Sequence, residues 1–223
     1  MNNNYTEIAF ILDRSGSMES CRDAAIDGFN SFLSAQQQLE GLAKLTLVLF
    51  DDTYQVPAVS LPVAEVLPLD ITTYVTGNTT ALLDAIGRTI DELGNRLSSI
   101  SENDRPNQVI VAILTDGLEN ASQNYSWPDV ADRIRRQSKD YKWNFLFLGA
   151  NQDAIATAAQ MAIPASQAAS YCADQIGTRS SHRALSRKIA AIRQCARQII
   201  GAPAPPDLSA PLAKIVEEER KQE

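Results

Sequence analysis

Short apolar runs that alternate with amphipathic segments are the feature that most restricts how this chain can fold. The apolar runs cover residues 8–12, 45–50, 108–114 and 143–148. They are too short for independent helices but suit strands that are buried on both faces of a sheet. Apolar residues recur at helical spacing within residues 20–38, 82–97, 126–134 and 181–200. Strands that alternate with helices predict an α/β fold, with a doubly wound, mostly parallel central sheet flanked by helices on both faces.

Two weaker signals add strands to this sheet. Residues 54–59 follow the second apolar run closely and contain Pro57, which suits an edge strand better than a central one. We therefore expect this segment to turn back and form one antiparallel edge strand. Residues 168–171 predict a short terminal strand, which follows a short helix at residues 153–161.

The first apolar run leads directly into a loop that is rich in oxygen ligands. Asp13, Ser15 and Ser17 occupy alternate positions, separated by Arg14 and by Gly16, which suits a tight loop. If the loop turns back on itself, this spacing lets one carboxylate and two hydroxyls converge on a single point. Oxygen ligands of this kind suit Mg²⁺, Ca²⁺ or Mn²⁺.

Two further segments are expected at the same rim of the sheet. Asp116 follows the apolar run 108–114 just as Asp13 follows the first run, and ligands of doubly wound sheets bind beyond the carboxyl ends of the strands. If these strands are neighbours, the two carboxylates lie close together and repel each other unless a cation neutralises them. Thr79 and Thr80 precede the helix that lies between these strands, so their loop emerges at the same rim.

The three segments together resemble the von Willebrand factor A domain family and its metal-ion-dependent adhesion site. Residues 13–17 match the family's Asp-x-Ser-x-Ser loop, residues 78–86 are similar to its threonine loop, and residues 114–117 are similar to its third-loop aspartate. The resemblance implies a Rossmann-like fold. It also implies five metal ligands. Ser15, Ser17 and Thr80 would coordinate the ion directly, whereas Asp13 and Asp116 often act through water. Thr79 stays open as an alternative to Thr80.

The function that this resemblance implies is metal-dependent protein binding. A divalent cation, Mg²⁺ with Mn²⁺ or Ca²⁺ as alternatives, would capture an Asp or Glu side chain of a protein partner. The second hypothesis is a Mg²⁺-dependent hydrolase of phosphoesters that uses the same acidic strand ends. A phosphatase that forms an aspartyl-phosphate usually has a second acid two residues after the first, where this chain has Ser15, and the sequence offers no proton donor. We therefore expect a binding protein and no enzyme.

Composition limits the partners and the compartment. The formal net charge of −7 argues against nucleic acid as a partner. The polar first seven residues do not resemble a signal peptide, and no apolar run is long enough to span a membrane. Three scattered cysteines indicate neither a disulfide framework nor a zinc site. These features favour a cytoplasmic protein that does not insert into a membrane.

The carboxyl-terminal part divides into a helix and a tail by its composition. We expect one domain over residues 1–200, which includes the amphipathic helix 181–200, and a Pro-rich linker with a charged tail over residues 201–223. Residues 175–206 carry six Lys or Arg residues and no Asp or Glu. The basic face of this helix is expected to be solvated surface.

Several of these residues also allow a purely structural interpretation. The two strand-end aspartates could cap the helices that follow them, the two serines could bond to loop backbone, and Thr80 could be an N-cap. Asp51 and Asp52, which follow the second apolar run, are interpreted as turn residues. His182 is interpreted as a neighbour of the helix start, since no acid partner or Gly-x-Ser-x-Gly motif accompanies it.

Overall fold

A six-stranded sheet runs through the described part of the chain. The computed structural model describes residues 5–150, 153–196 and 203–222. The strands are β1 (Tyr5–Asp13), β2 (Leu42–Phe50), β3 (Tyr54–Pro62), β4 (Gln108–Thr115), β5 (Asn144–Ala150) and β6 (Ala168–Tyr171). Their order across the sheet is β3-β2-β1-β4-β5-β6, which is a doubly wound arrangement.

The pairing directions confirm the predicted sheet. β1 pairs in parallel with both β2 and β4, and β5 and β6 continue the parallel part on one side. β3 alone pairs antiparallel, at the edge beside β2, as the position of Pro57 predicts. The terminal strand at residues 168–171 is also confirmed. Because β1 and β4 are direct neighbours, the segments that follow them begin side by side.

Helices cover both faces of the sheet. They are α1 (Arg22–Gln38), α2 (Leu82–Ser98), α3 (Trp127–Tyr141), α4 (Ala154–Gln160), α5 (Gln175–Ala196), α6 (Pro206–Ser209) and α7 (Leu212–Arg220). Buried residues of α1, α5 and α7 form one hydrophobic cluster with the sheet, and those of α2, α3 and α4 form the other. Among the described helices, none is both long and apolar enough to cross a membrane.

Local sequence explains where several helices begin. A capping box begins α3, with Ser126 and Asp129 each accepting a hydrogen bond from the other's backbone N–H. α1 begins two residues later than predicted, because a 3₁₀ turn over Gly16–Cys21 precedes it. α5 begins at Gln175, six residues before the predicted start, and the last four predicted residues lie outside the described part of the chain.

The segment after residue 205 packs against the domain, which differs from the expected charged tail. Leu212, Ile215 and Val216 of α7 are buried in the cluster formed by α1 and α5. Their spacing of three and one residues places them on one face of a helix, which is enough for docking although too little for an independent domain. The division of the chain at residue 200 stays a prediction, but residues 206–220 are not a detached tail.

Cations of α5 hold this segment in place. Arg187 forms ion pairs at 2.8–3.0 Å with Asp207, Glu218 and Glu219. Lys188, which is only 2% exposed, donates hydrogen bonds of 2.7–3.0 Å to three backbone carbonyls at residues 207, 208 and 210. The expectation that this basic face is solvated surface is therefore wrong for these residues, because the acidic end of the same chain covers them.

His182 is a core residue and does not lie at a helix start. Its imidazole is fully buried and stacks on Phe10, with ring centroids 6.0 Å apart. Nδ1 lies 2.8 Å from the carbonyl oxygen of Thr178, whereas Nε2 has no partner among the described residues. Burial lowers the pKa of His182 to about 4. The folded protein therefore holds this ring in its neutral form.

We expect His182 to make the folded protein less stable as the pH falls from about 6.5 to about 4. In that range the unfolded chain, with the ordinary pKa of 6.5, binds a proton that the folded chain excludes. The full effect corresponds to about 3 kcal/mol at 1.36 kcal/mol per pKa unit. Urea denaturation of wild type and of His182→Gln, near pH 7 and near pH 4.5, measures it.

The variant serves as its own control, because every other titrating group is common to both proteins. The loss of unfolding free energy between the two pH values should be smaller in His182→Gln than in wild type. Identical losses in the two proteins would show that His182 is not held neutral in the core.

Candidate metal centre

Asp13 is fixed at the end of β1 before any ligand binds. Its side chain is fully buried. The Thr115 hydroxyl donates a hydrogen bond of 2.5 Å to Oδ2, and the Ser15 backbone N–H donates one of 2.7 Å to Oδ1. Since Thr115 is the last residue of β4, the parallel pairing of β1 and β4 sets the direction of this carboxylate.

The other residues of the first loop reach Asp116 across the rim. The Ser17 hydroxyl donates a hydrogen bond of 2.5 Å to Oδ1 of Asp116. The Ser15 and Ser17 Oγ atoms lie 3.2 Å apart. The contact between Ser17 and Asp116 joins residues that are 99 positions apart in sequence. The first and third loops therefore present two hydroxyls and a carboxylate to one small region.

Thr80 completes the cluster from the second loop. It is 3% exposed, whereas Thr79 is exposed. A Cβ atom on Gly117 would stand 2.5 Å from Thr80 Oγ1 and 3.3 Å from Ser15 Oγ, so both hydroxyls face the same small space above Gly117. All five predicted ligand residues thus lie at one rim, and the structure turns the side chain of Thr80 toward it.

The two carboxylates of this rim are destabilised in their charged forms. Burial raises the pKa of Asp13 above its ordinary value, although hydrogen bonds from Thr115 and Ser15 oppose the increase. Burial raises the pKa of Asp116 to about 6, the Ser17 hydrogen bond opposes this, and the nearby Asp13 charge adds to it. A cation beside both groups would relieve their desolvation and their mutual repulsion.

The donor set suits a hard divalent cation. Carboxylate and hydroxyl oxygens are ligands that Mg²⁺, Mn²⁺ and Ca²⁺ accept, whereas zinc sites usually use Cys and His. In the described residues, no group of three or more His, Cys, Asp or Glu side chains is placed to hold a metal ion. A cation at this rim would therefore depend on the hydroxyls as much as on the two aspartates.

A buried ion pair below the rim joins the loops to one another. Arg14 and Asp51 are 8% and 4% exposed, and the guanidinium donates to Asp51 at 3.1 Å and to the Thr53 hydroxyl at 2.7 Å. A second guanidinium nitrogen donates to the Val75 carbonyl at 2.8 Å. The interpretation of Asp51 as a simple turn residue is therefore incomplete, and Arg14 is committed to the interior.

Close backbone contacts explain the small residues of the second loop. A Cβ atom on Gly77 would lie 1.7 Å from Oδ2 of Asp51, so any side chain at this position would displace the ion pair. The Gly77 N–H donates to the Arg14 carbonyl at 2.7 Å, and the Gly16 N–H donates to the Asn78 carbonyl at 3.0 Å. The first and second loops are therefore joined by main-chain hydrogen bonds at Arg14 and at Gly16, on both sides of Ser15.

Two acidic residues organise the third loop and do not belong to the predicted ligand set. Glu119 accepts hydrogen bonds from the N–H groups of Leu83 and Ser122, at 2.9 and 2.8 Å. Asp84 accepts from three successive backbone N–H groups at residues 123–125. Both carboxylates tie this loop to the start of α2. Sequence alone offers no periodic or spacing signal for the contacts between this loop and α2, since these join residues 36 to 41 positions apart.

Comparison with known proteins shows a likeness in fold alone. No family model and no curated protein matches the sequence. A von Willebrand factor type A structure from Catenulispora acidiphila is 17% identical, with a TM-score of 0.53, over 84% of this chain and 43% of that one. The PilB minor pilin of Streptococcus sanguinis, as a D319A mutant, is 10% identical, with a TM-score of 0.55, over 90% of this chain and 64% of that one.

A third similar structure is one of a metal-bound protein. Proximal thread matrix protein 1 from the mussel byssus, described with a zinc-occupied MIDAS motif, is 13% identical, with a TM-score of 0.54. The match covers 86% of this chain and 46% of that protein. This chain thus spans 43% of the Catenulispora chain, 46% of the byssus protein and 64% of the PilB chain, which is less than two thirds of each.

Removing the Asp51 carboxylate should strongly destabilise the fold. Asp51→Ala leaves the Arg14 guanidinium buried without its counter-charge, which typically costs about 3–5 kcal/mol. Asp52→Ala is the matched control, because this neighbouring carboxylate is exposed and should change the free energy of unfolding by less than about 0.5 kcal/mol. Chemical denaturation measures both variants. Equal stabilities of the two variants would show that the buried pair does not stabilise the fold.

Proposed function

We propose that this chain, which has the fold of a von Willebrand factor A domain, is a metal-dependent protein-binding module. The observation that carries the proposal is the convergence of two carboxylates and three hydroxyls, from three separate loops, at the carboxyl ends of β1 and β4. Loop backbone and helix caps alone would not need a buried and a half-buried aspartate beside each other.

The placement of these side chains supports the ligand set that the family resemblance implies. Ser15, Ser17 and Thr80 would contact a divalent cation directly, and Asp13 and Asp116 would act largely through water. Mg²⁺ is the proposed ion, with Mn²⁺ or Ca²⁺ as alternatives. Thr80 is preferred to Thr79 because its hydroxyl faces Ser15 and Gly117, whereas Thr79 is exposed.

The proposed partner is a protein that supplies an Asp or Glu side chain. Three neutral hydroxyls and two aspartates that act through water leave an octahedral ion with room for one outside oxygen. A carboxylate is the oxygen ligand that best balances the remaining positive charge. The net charge of −7 repels such a partner at long range, and Arg14 is buried, so the local attraction would come from the bound ion.

We also propose that the site binds its partner without catalysing a reaction, and that the protein is cytoplasmic. A Mg²⁺-dependent hydrolase of phosphoesters is the alternative that uses the same strand ends. A turnover screen on generic phosphoesters, with Mg²⁺ and with chelator, distinguishes the two, because only the hydrolase would release phosphate in a metal-dependent manner.

Mg²⁺ should raise the melting temperature of the wild-type protein. A ligand that binds only the folded state stabilises it by RT ln(1 + [L]/Kd), or about 2.7 kcal/mol at one hundred times the Kd. Thr80→Val removes one proposed ligand at nearly constant volume and should reduce this shift strongly. Thr79→Val is the control and should keep it. An undiminished shift in Thr80→Val would place the metal elsewhere, and a loss confined to Thr79→Val would reverse the assignment of the two threonines.

Partner binding should depend on the same ion. Capture of proteins from a native lysate should yield a partner in Mg²⁺ that is lost with chelator and with Thr80→Ala. Replacement of one acidic residue in that partner should then abolish binding. A partner that is retained in chelator and by Thr80→Ala would contradict carboxylate capture even if the rim binds metal.

A further inference from the structure

We infer that Asn120 is a positioning residue for the metal centre, which holds the ligand Thr80 from the same loop that carries the ligand Asp116. The inference rests on the proposed function of the rim. Asn120 itself does not belong to the ligand set, and nothing in the sequence pattern marks it. Its importance follows from its contacts with the backbone of Thr80.

Asn120 and its neighbour satisfy both backbone polar groups of Thr80. The Thr80 N–H donates a hydrogen bond of 2.9 Å to Oδ1 of Asn120. The Asn120 N–H donates one of 3.1 Å to the Thr80 carbonyl, and the Ala121 N–H donates one of 3.2 Å to the same oxygen. Because the Thr80 N–H is a donor, the side-chain atom that faces it must be the amide oxygen.

This side-chain contact is specific to Thr80. Thr80 is 3% exposed, whereas Asn120 lies exposed at the surface. Removal of the Asn120 oxygen leaves the Thr80 N–H without its protein acceptor, so this group must bond to water or the second loop must shift to find another acceptor. A shift of the Thr80 backbone moves its hydroxyl away from the space above Gly117, where Ser15 also points.

The loop that carries Asn120 is itself held firmly. Glu119 accepts from the Leu83 N–H in the first turn of α2 and also from the N–H groups of Ala121 and Ser122, at 2.8–3.0 Å. On the other side of Thr80, the Ala81 N–H donates to the Asp51 carbonyl at 2.8 Å. The backbone around Thr80 is therefore held by the third loop on one side and by Asp51 on the other. The Asn120 side chain supplies the acceptor that orients the Thr80 N–H between them.

The consequence is that the second and third loops present their ligands as one unit. The metal affinity should then depend on Asn120 although this residue does not touch the ion. Groups that orient metal ligands typically change affinity by about 10- to 100-fold when they are removed. Asn120→Ala should weaken Mg²⁺ and Mn²⁺ binding by about this factor, measured by titration calorimetry well below the melting temperature.

Two variants separate positioning from a general effect on the loop. Asn120→Asp keeps an oxygen that accepts from the Thr80 N–H, so it should bind metal at least as tightly as wild type. Asn124→Ala is the matched control, because Asn124 lies in the same loop as Asn120 but its side chain donates to Asp84 of α2 at 2.9 Å and not to the Thr80 backbone. Its metal affinity should stay within about twofold of wild type, since the ligands keep their orientation.

A second measurement does not need the metal. Hydrogen exchange of the Thr80 amide in metal-free protein should accelerate in Asn120→Ala and stay slow in Asn120→Asp and Asn124→Ala. If Asn120→Ala does not melt cooperatively, Asn120→Gln replaces it, because it keeps the amide but moves the oxygen by one methylene. The same loss of affinity and the same faster exchange are expected.

The outcomes distinguish this inference from the proposed function. A wild-type affinity in Asn120→Ala or Asn120→Gln, an equal loss in Asn124→Ala, or a failure of Asn120→Asp to restore binding would overturn the positioning role alone. A wild-type protein that binds neither Mg²⁺ nor Mn²⁺ would overturn the proposed function, and with it any role of Asn120 toward a metal.

Discussion

The parallel pairing of β1 with β4 is the constraint on which the chemistry of this molecule depends. Leu12 lies opposite Leu114 in this pairing, so the strands end together at the same edge of the sheet. Asp13 follows Leu12 by one residue, and Asp116 follows Leu114 by two. The hydrogen bond from Thr115 to Asp13 crosses between the two strands. The buried Asp13 carboxylate raises the electrostatic cost of charging the half-buried Asp116, and this cost makes the rim a favourable place for a cation.

The loops above this edge keep their shape through contacts that satisfy polar groups. The buried pair of Arg14 and Asp51 lies under the first and second loops, and Tyr74, fully buried, donates to the Asp13 carbonyl. Asn120 then joins the second loop to the third. The hydroxyls above Gly117 are thus oriented by backbone and side-chain bonds within the protein, and a bound ion would need little rearrangement of the chain.

The sequence predicts the parts of this structure that depend on local pattern. The apolar runs, the antiparallel edge strand at Pro57 and the grouping of Asp13, Ser15, Ser17, Thr80 and Asp116 at one rim all follow from periodicity, turn chemistry or motif order. Contacts between distant residues do not. The burial of Lys188 could not be predicted, because its partners lie on α6 and just after it. The burial of His182 could not be predicted either, because its neighbours lie on α1 and β1. The pairing of Arg14 with Asp51 has no spacing rule.

A crystal of this protein grown with Mn²⁺ and measured for anomalous scattering tests the central claim most directly. The account predicts one strong anomalous peak above Gly117, within direct coordination distance of the Ser15, Ser17 and Thr80 hydroxyls and with water between the ion and the aspartates. A peak that lies away from this rim, or a rim without any peak at an ion concentration that saturates the protein in solution, would contradict it.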